Sequence, residues 1–157
     1  MPEPRPIDPE RDDMAALLSL ILAAFAGMEG RIHPPSSTRS LTPETLREKA
    51  RLESGFVIEA EGRPVACLFC RAERDCLYLG KLAVDPAWQG KGLGRRLLAE
   101  AEALAGSLGL KRLRLETRVE LTENHAVFGR WGFVRVGEHS HAGFGRVTSI
   151  EMAKELP

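Results

Sequence analysis

The sequence predicts an α/β or α+β fold on a mixed sheet. Two patterns carry that prediction. Short strand-like runs alternate with helix-like runs along the chain. A glycine-rich turn, Gln89-Gly90-Lys91-Gly92-Leu93-Gly94, joins an apolar strand to the clearest helical pattern in the chain. Length is the third observation: 157 residues suit one domain over 1–157, enough to bury a core without disulfides or metals.

The elements follow in order. Arg5-Pro6-Ile7 reads as a first strand. Asp8 then suits a helix cap and Pro9 a first helical position, opening a helix that runs to about Phe25. The stretch from Gly27 to Leu41 is rich in Gly, Pro and Ser and reads as a loop. Thr42-Pro43-Glu44 starts a second helix, with cap, proline and an acidic first turn, and this helix runs to about Ser54. Phe56–Ala60 and Pro64–Cys70 form a hairpin about Glu61-Gly62-Arg63. Leu77–Val84 lacks clean alternation, as a strand covered on both faces does. Gln89–Leu108 is helical by its leucine and alanine spacing and stops at Gly109. Lys111–Thr117 is a strand and Thr122–Trp131 a short helix. Phe133–Val136 and Arg146–Met152 close the domain around a loop, Gly137–Gly145.

Bulk properties exclude several functions. The 22 basic and 22 acidic residues cancel, so there is no general pull toward nucleic acid or anionic membranes. Met14–Ala26 is apolar, but at 13 residues it is too short to span a bilayer. The acidic Asp8, Glu10, Asp12 and Asp13 ahead of it oppose a secretory signal, so a cytoplasmic protein is expected. Cys67, Cys70 and Cys76 are odd in number. Strand alternation sends Cys67 and Cys70 to opposite faces, and no second ligand pair stands at zinc spacing. Reduced cysteines and no metal are expected, in a monomer or homodimer.

Three glycines at a helix start need a reason, because each costs about 1 kcal/mol in a helix interior. Helix N-termini present unpaired N–H groups and the positive end of the dipole. Glycines let an anion approach them, and Lys91, Arg95 and Arg96 add charge. A phosphate group fits. The dinucleotide fingerprint does not, since Arg95 stands where its third glycine belongs. Nor does a P-loop, since Gly92 follows Lys91.

Gln89-x-x-Gly92-x-Gly94 after Leu82-Ala83-Val84 resembles the coenzyme A signature of the GNAT superfamily of N-acetyltransferases. Phe128-Gly129-Arg130-Trp131-Gly132-Phe133 resembles that family's Tyr-x-x-x-Gly-Phe element, and the element order fits nearly the whole chain. The resemblance implies a mixed, mainly antiparallel sheet that splays between the fourth and fifth strands, flanked by about four helices. It implies acetyl transfer from acetyl-CoA, as co-substrate, to a primary amine of a small molecule or to a peptide N-terminus or lysine, by direct attack in a ternary complex. Leu82, Ala83 and Val84 would meet the pantetheine arm. Amides of Gln89, Gly90, Lys91, Gly92, Leu93, Gly94 and Arg95 would hold the pyrophosphate, and Asn124 and Phe128 would lie near the thioester.

Amine attack on a thioester needs a neutral amine and a stabilised oxyanion, and the thiolate gains from a proton. The implied oxyanion donor is the backbone of Val84 or its neighbour. Phe128 occupies the place of the family's acidic tyrosine and has no proton to give. The family's basic carboxylate position holds Tyr78, a poor base unless its pKa is lowered. Glu116 is the better carboxylate. Leu121 stands where the family has an asparagine, with Asn124 three residues on as substitute or helix cap. Arg31, His33, Ser36, Ser37 and Arg39 in the first long loop are the candidate acceptor contacts, and His139 and His141 in the last loop are further candidates to deprotonate the acceptor ammonium, directly or through water. The alternative is a non-catalytic acyl-CoA sensor of the same fold.

Overall fold

The computed structural model describes residues 2–157. The strands are β1 Arg5–Pro6, β2 Ser54–Ala60, β3 Arg63–Ala72, β4 Leu77–Val84, β5 Arg112–Arg118, β6 Val134–His139 and β7 Ser149–Glu155. The helices are α1 Met14–Phe25, α2 Pro43–Leu52, α3 Leu93–Ser107 and α4 Thr122–Arg130. One seven-stranded sheet runs β1-β2-β3-β4-β5-β7-β6. Every neighbouring pair is antiparallel except β4–β5, which is parallel. That pair is bridged only at Leu77–Leu113 and Tyr78–Arg114. Beyond those residues the two strands part, which is the expected splay.

Two apolar layers hold the sheet. On one face, Leu93, Leu97, Ala101 and Ala105 of α3 pack on Leu68, Leu77, Leu113 and Ile150. On the other, Met14, Leu17 and Ile21 of α1 and Leu46 of α2 pack on Val57, Cys67 and Phe69. Cys70 belongs to the first layer and Cys67 to the second, as strand alternation requires, and all three thiols are free. Burial pushes both Cys67 and Cys70 up to about 12. No helix among the described residues is long and apolar enough to cross a membrane.

Helix α2 starts as expected: the Thr42 hydroxyl accepts the Thr45 N–H at 3.1 Å, and Pro43 follows. Other boundaries differ. Helix α1 begins at Met14, capped by Asp13, whose carboxylate accepts the Ala16 N–H at 3.0 Å. Asp8 caps only a turn, accepting the Glu10 N–H at 2.9 Å. Helix α3 begins at Leu93 rather than Gln89, because Gly90 and Gly92 have φ of 77° and 81°, left-handed values that no helix contains. Strand β6 runs on to His139 through pairing with β7, so Gly137 to His139 leave the predicted loop. Strand β7 starts at Ser149 and reaches Glu155 opposite Arg112. In both cases the partner strand outweighs local composition.

Candidate active site

Where β4 and β5 part, a cleft of about 550 Å³ opens. Its walls come from both strands, from α4 and from the loop after α1. Strand β4 deforms there. Cys67 pairs with Ala83 and Phe69 with Gly80, so Lys81 and Leu82 together oppose Leu68 in a β-bulge. Lys81 takes a left-handed φ of 53°, uncommon for any residue but glycine.

A polar cluster lies on the α1 face of the splay. Leu113 and Leu115 of β5 enter the α3 layer, so alternation turns Arg114 and Glu116 the other way. The Tyr78 hydroxyl donates to a Glu116 carboxylate oxygen at 3.4 Å. His139 Nε2 lies 3.4 Å from the other Glu116 oxygen and 3.1 Å from Glu151. Carboxylates only accept, so Nε2 carries the hydrogen. Arg114 pairs with Glu151 at 3.2 Å and with Glu73 at 2.9 Å. The guanidinium groups of Arg71 and Arg114 lie over the Tyr78 ring, 4.7 and 4.5 Å from its centroid. Burial, and then the Glu116 charge, push the Tyr78 phenol up to about 12. Tyr78 is therefore a neutral donor near neutral pH, and the lowered pKa that a basic role required is not present.

The glycine turn is built from backbone. Among the described residues, no N–H from Gln89 to Arg95 donates within the protein, and the first helical bond is Arg96 N–H to Gly92 carbonyl at 3.1 Å. Alternating left-handed glycines turn successive N–H groups toward one side, an anion nest at the head of α3. Gly94 has another task. A Cβ there would come 2.8 Å from the Trp131 ring, so this glycine lets α3 and α4 approach. Lys91 lies over the Trp88 ring, and Arg96 pairs with Glu3 at 2.6 Å. The Gln89 side chain donates to the Val84 carbonyl at 3.3 Å, tying the turn to the end of β4.

Other expected residues divide. The Asp85 N–H donates to Val65 of β3 at 2.8 Å, so Val84, one residue earlier, directs its backbone groups to the open side. Parallel register sets Glu116 level with Gly80, four residues short of Val84, which is about 13 Å along a strand. Val84 is therefore set well apart from Glu116 and does not line the cleft, while Lys81, Leu82 and Glu116 all do. Leu82 lines the cleft and Ala83 is buried in the α1 layer. Asn124 and Phe128 line the cleft; Leu121, not Asn124, holds the N-cap position of α4. The Phe128 ring stands edge-on to Trp131 and Phe133, at 5.7 and 6.0 Å. Ser36, Ser37 and His141 line the cleft; Arg31 and His33 do not. Arg31 pairs with Glu123 at 2.7 Å, the His33 backbone bonds Glu120 and Arg146, and Arg39 pairs with Glu29 at 2.5 Å. These residues fasten the loop. The sequence reading missed Lys81, Arg118 and Glu151. Only the pairing of β5 with β7, which sets Glu151 opposite Glu116, could have signalled the last of them.

Residues 18–133 match the family model described as Acetyltransferase (GNAT) family. The chain belongs to the GNAT acetyltransferase family. It is 33% identical over 85 residues to an aminoglycoside N(6')-acetyltransferase type 1 of Stenotrophomonas maltophilia, a match covering 54% of this chain and 48% of that one. It is 32% identical over 106 residues to the uncharacterized N-acetyltransferase YjgM of Escherichia coli, covering 64% of this chain and 63% of the relative. The matched part thus spans less than two thirds of these relatives' length. Among solved GNAT folds, the PaiA N-acetyltransferase of Thermoplasma acidophilum in complex with coenzyme A superposes with a TM-score of 0.80, at 17% identity over 99% of both chains. The ribosomal-protein-S18-alanine N-acetyltransferase of Escherichia coli gives 0.71 at 22% identity, over 99% of this chain and 94% of that one.

Proposed function

We propose that this protein transfers the acetyl group of acetyl-CoA to a primary amine, acting as a single-domain enzyme of the cytoplasm through a ternary complex. The observation that carries this reading is the splay itself: a strand edge left open between an anion nest at one end and a carboxylate cluster at the other. The pyrophosphate binds the free amides of Gly90 to Arg95, with Lys91 and Arg95 as counter-charges. The pantetheine arm pairs with Leu82 and Val84 as an added strand. The thioester then reaches the bulge, beside Phe128 and Asn124. A bulge amide, from Lys81 or Leu82, takes the oxyanion role in place of Val84, because the bulge interrupts the regular pairing with β3 and lies near the level of Glu116.

Glu116 accepts the proton of the attacking ammonium, directly or through water. The neutral Tyr78 hydroxyl and the His139 Nε2–H orient its carboxylate. Phe128 supplies no acid, so the coenzyme thiolate leaves unaided or takes a proton from solvent. That residue is also what favours the second reading, a sensor that binds acyl-CoA without turnover. Thiol release from acetyl-CoA with pooled amines and peptide N-termini separates the two. Amine-dependent release supports transfer. Coenzyme binding with no release by any acceptor supports the sensor.

A further inference from the structure

The cations lining the cleft fall into two groups. Lys49 and Arg71 are neutralised by carboxylates, Lys49 by Glu53 at 2.8 Å and Arg71 by Glu73 at 3.0 Å. Lys81 and Arg118 are not: among the described residues neither has a carboxylate oxygen within ion-pair distance. The Lys81 ammonium reaches only the Ser37 hydroxyl, at 3.3 Å. Arg118 donates to the carbonyls of Pro34 and Pro35, at 2.5 and 3.2 Å. The nearby Glu120 is already bonded to Arg146 and to the His33 N–H. Both cations are half-buried, and burial lowers the pKa of each. Lys81 also holds its left-handed backbone at the bulge, one residue past the level of Glu116 in the parallel register. A half-buried charge without a partner is unfavourable, and a bound ligand of opposite charge relieves it.

We propose that Lys81, with Arg118 beside it, binds a carboxylate on the acceptor, so that the substrates are small amines carrying a carboxylate. This rests on the acetyl-transfer reading of the same cleft. The cleft is then bipolar. Glu116 receives the ammonium that is to be deprotonated, and Lys81 and Arg118 receive the anionic end of the same molecule. The coenzyme's own phosphates do not compete, since their nest lies beyond the far end of β4. Arg118 also bonds the loop after α1 through Pro34 and Pro35, so the anion site and the loop wall of the acceptor pocket share one side chain.

The test compares amino acids with the amines left when their carboxylates are removed, in the thiol-release assay. The wild-type protein should prefer the carboxylated member of each pair by about tenfold or more in kcat/KM. Lys81→Met should collapse that preference, and Lys81→Arg should restore most of it. The thermal shift given by acetyl-CoA should persist in both variants, showing that fold and coenzyme site are intact. Equal use of both members by the wild type, or equal slowing of both by Lys81→Met, would overturn the proposal while leaving acetyl transfer standing. If no amine releases thiol, acetyl transfer fails. Thermal shifts by amino acids in the presence of coenzyme A then decide: a shift lost in Lys81→Met upholds the anion site, and no shift in the wild type overturns it.

Discussion

The turn ahead of α3 and the cluster around Glu116 border the same cleft but are made in opposite ways. The turn is one contiguous segment whose chemistry is backbone: free N–H groups aimed by Gly90 and Gly92. The cluster is side-chain chemistry gathered from four strands, Tyr78 on β4, Glu116 on β5, His139 on β6 and Glu151 on β7. A site of the first kind depends on local backbone freedom. A site of the second kind depends on register, and a one-residue slip would turn its side chains to the other face. The coenzyme end should therefore fail through single glycines, and the acceptor end through single carboxylates.

Breaking the turn should have the largest effect. Asparagine tolerates left-handed backbone, and a Cβ at Gly92 meets nothing within 4 Å, so Gly92→Asn should fold. Its side chain fills the nest, and the thermal shift given by acetyl-CoA should disappear. Gly92→Val should lose the shift too, and also lose stability from the strained φ of 81°. An undiminished shift in Gly92→Asn would separate the turn from the coenzyme.

At the other end, Glu116→Gln keeps the shape and removes the base. It should lower kcat/KM by about 10²-fold or more, with the acetyl-CoA thermal shift unchanged. Wild-type rates in this variant would move the proton transfer to another group. Phe128→Tyr sharpens the comparison from the side of the leaving group. The ring already lines the cleft, so one hydroxyl should fit. Turnover should rise, by up to about 10²-fold, if thiolate departure limits the rate. A variant that no longer binds acetyl-CoA would show that position 128 is only packing.

The smallest effect expected is on alkaline stability. The folded Tyr78 phenol is raised above its ordinary value near 10, to about 12, so the folded state holds its proton longer than the unfolded chain. Its contribution is complete below pH 10 and is lost as pH rises through 12. Cys67 and Cys70 act in the same direction from about pH 9. Tyr78→Phe should flatten part of the fall in melting temperature above pH 10 and leave the acidic limb unchanged. An identical alkaline limb in the variant would show that the phenol titrates normally.

Element order and the glycine turn were legible because periodicity and glycine position are local signals, whereas the splay was implied only by the family resemblance those motifs carry. The start of α3 was misplaced for a local reason too: its leucine spacing extends into a turn that two positive φ angles exclude from the helix. Glu116 could be singled out as a strand-end carboxylate, but its neighbours His139 and Glu151 come together only through the pairing of β5, β7 and β6. The left-handed Lys81 at the bulge has no sequence signal, since nothing in Gly80-Lys81-Leu82 states that β3 will leave two residues opposite one. Arg31 and His33 looked like acceptor contacts and instead hold the loop, because Glu120 and Glu123 meet them across the β5–α4 junction.

A crystal structure with bound acetyl-CoA tests the central claim most directly. The account predicts pyrophosphate oxygens within hydrogen-bond distance of amides between Gly90 and Arg95. It also predicts the pantetheine arm laid along Leu82 and Val84, and the thioester carbonyl at the Lys81–Leu82 bulge facing Glu116. A coenzyme bound outside the splay, or one whose thioester lies closer to Val84 than to the bulge, would contradict it.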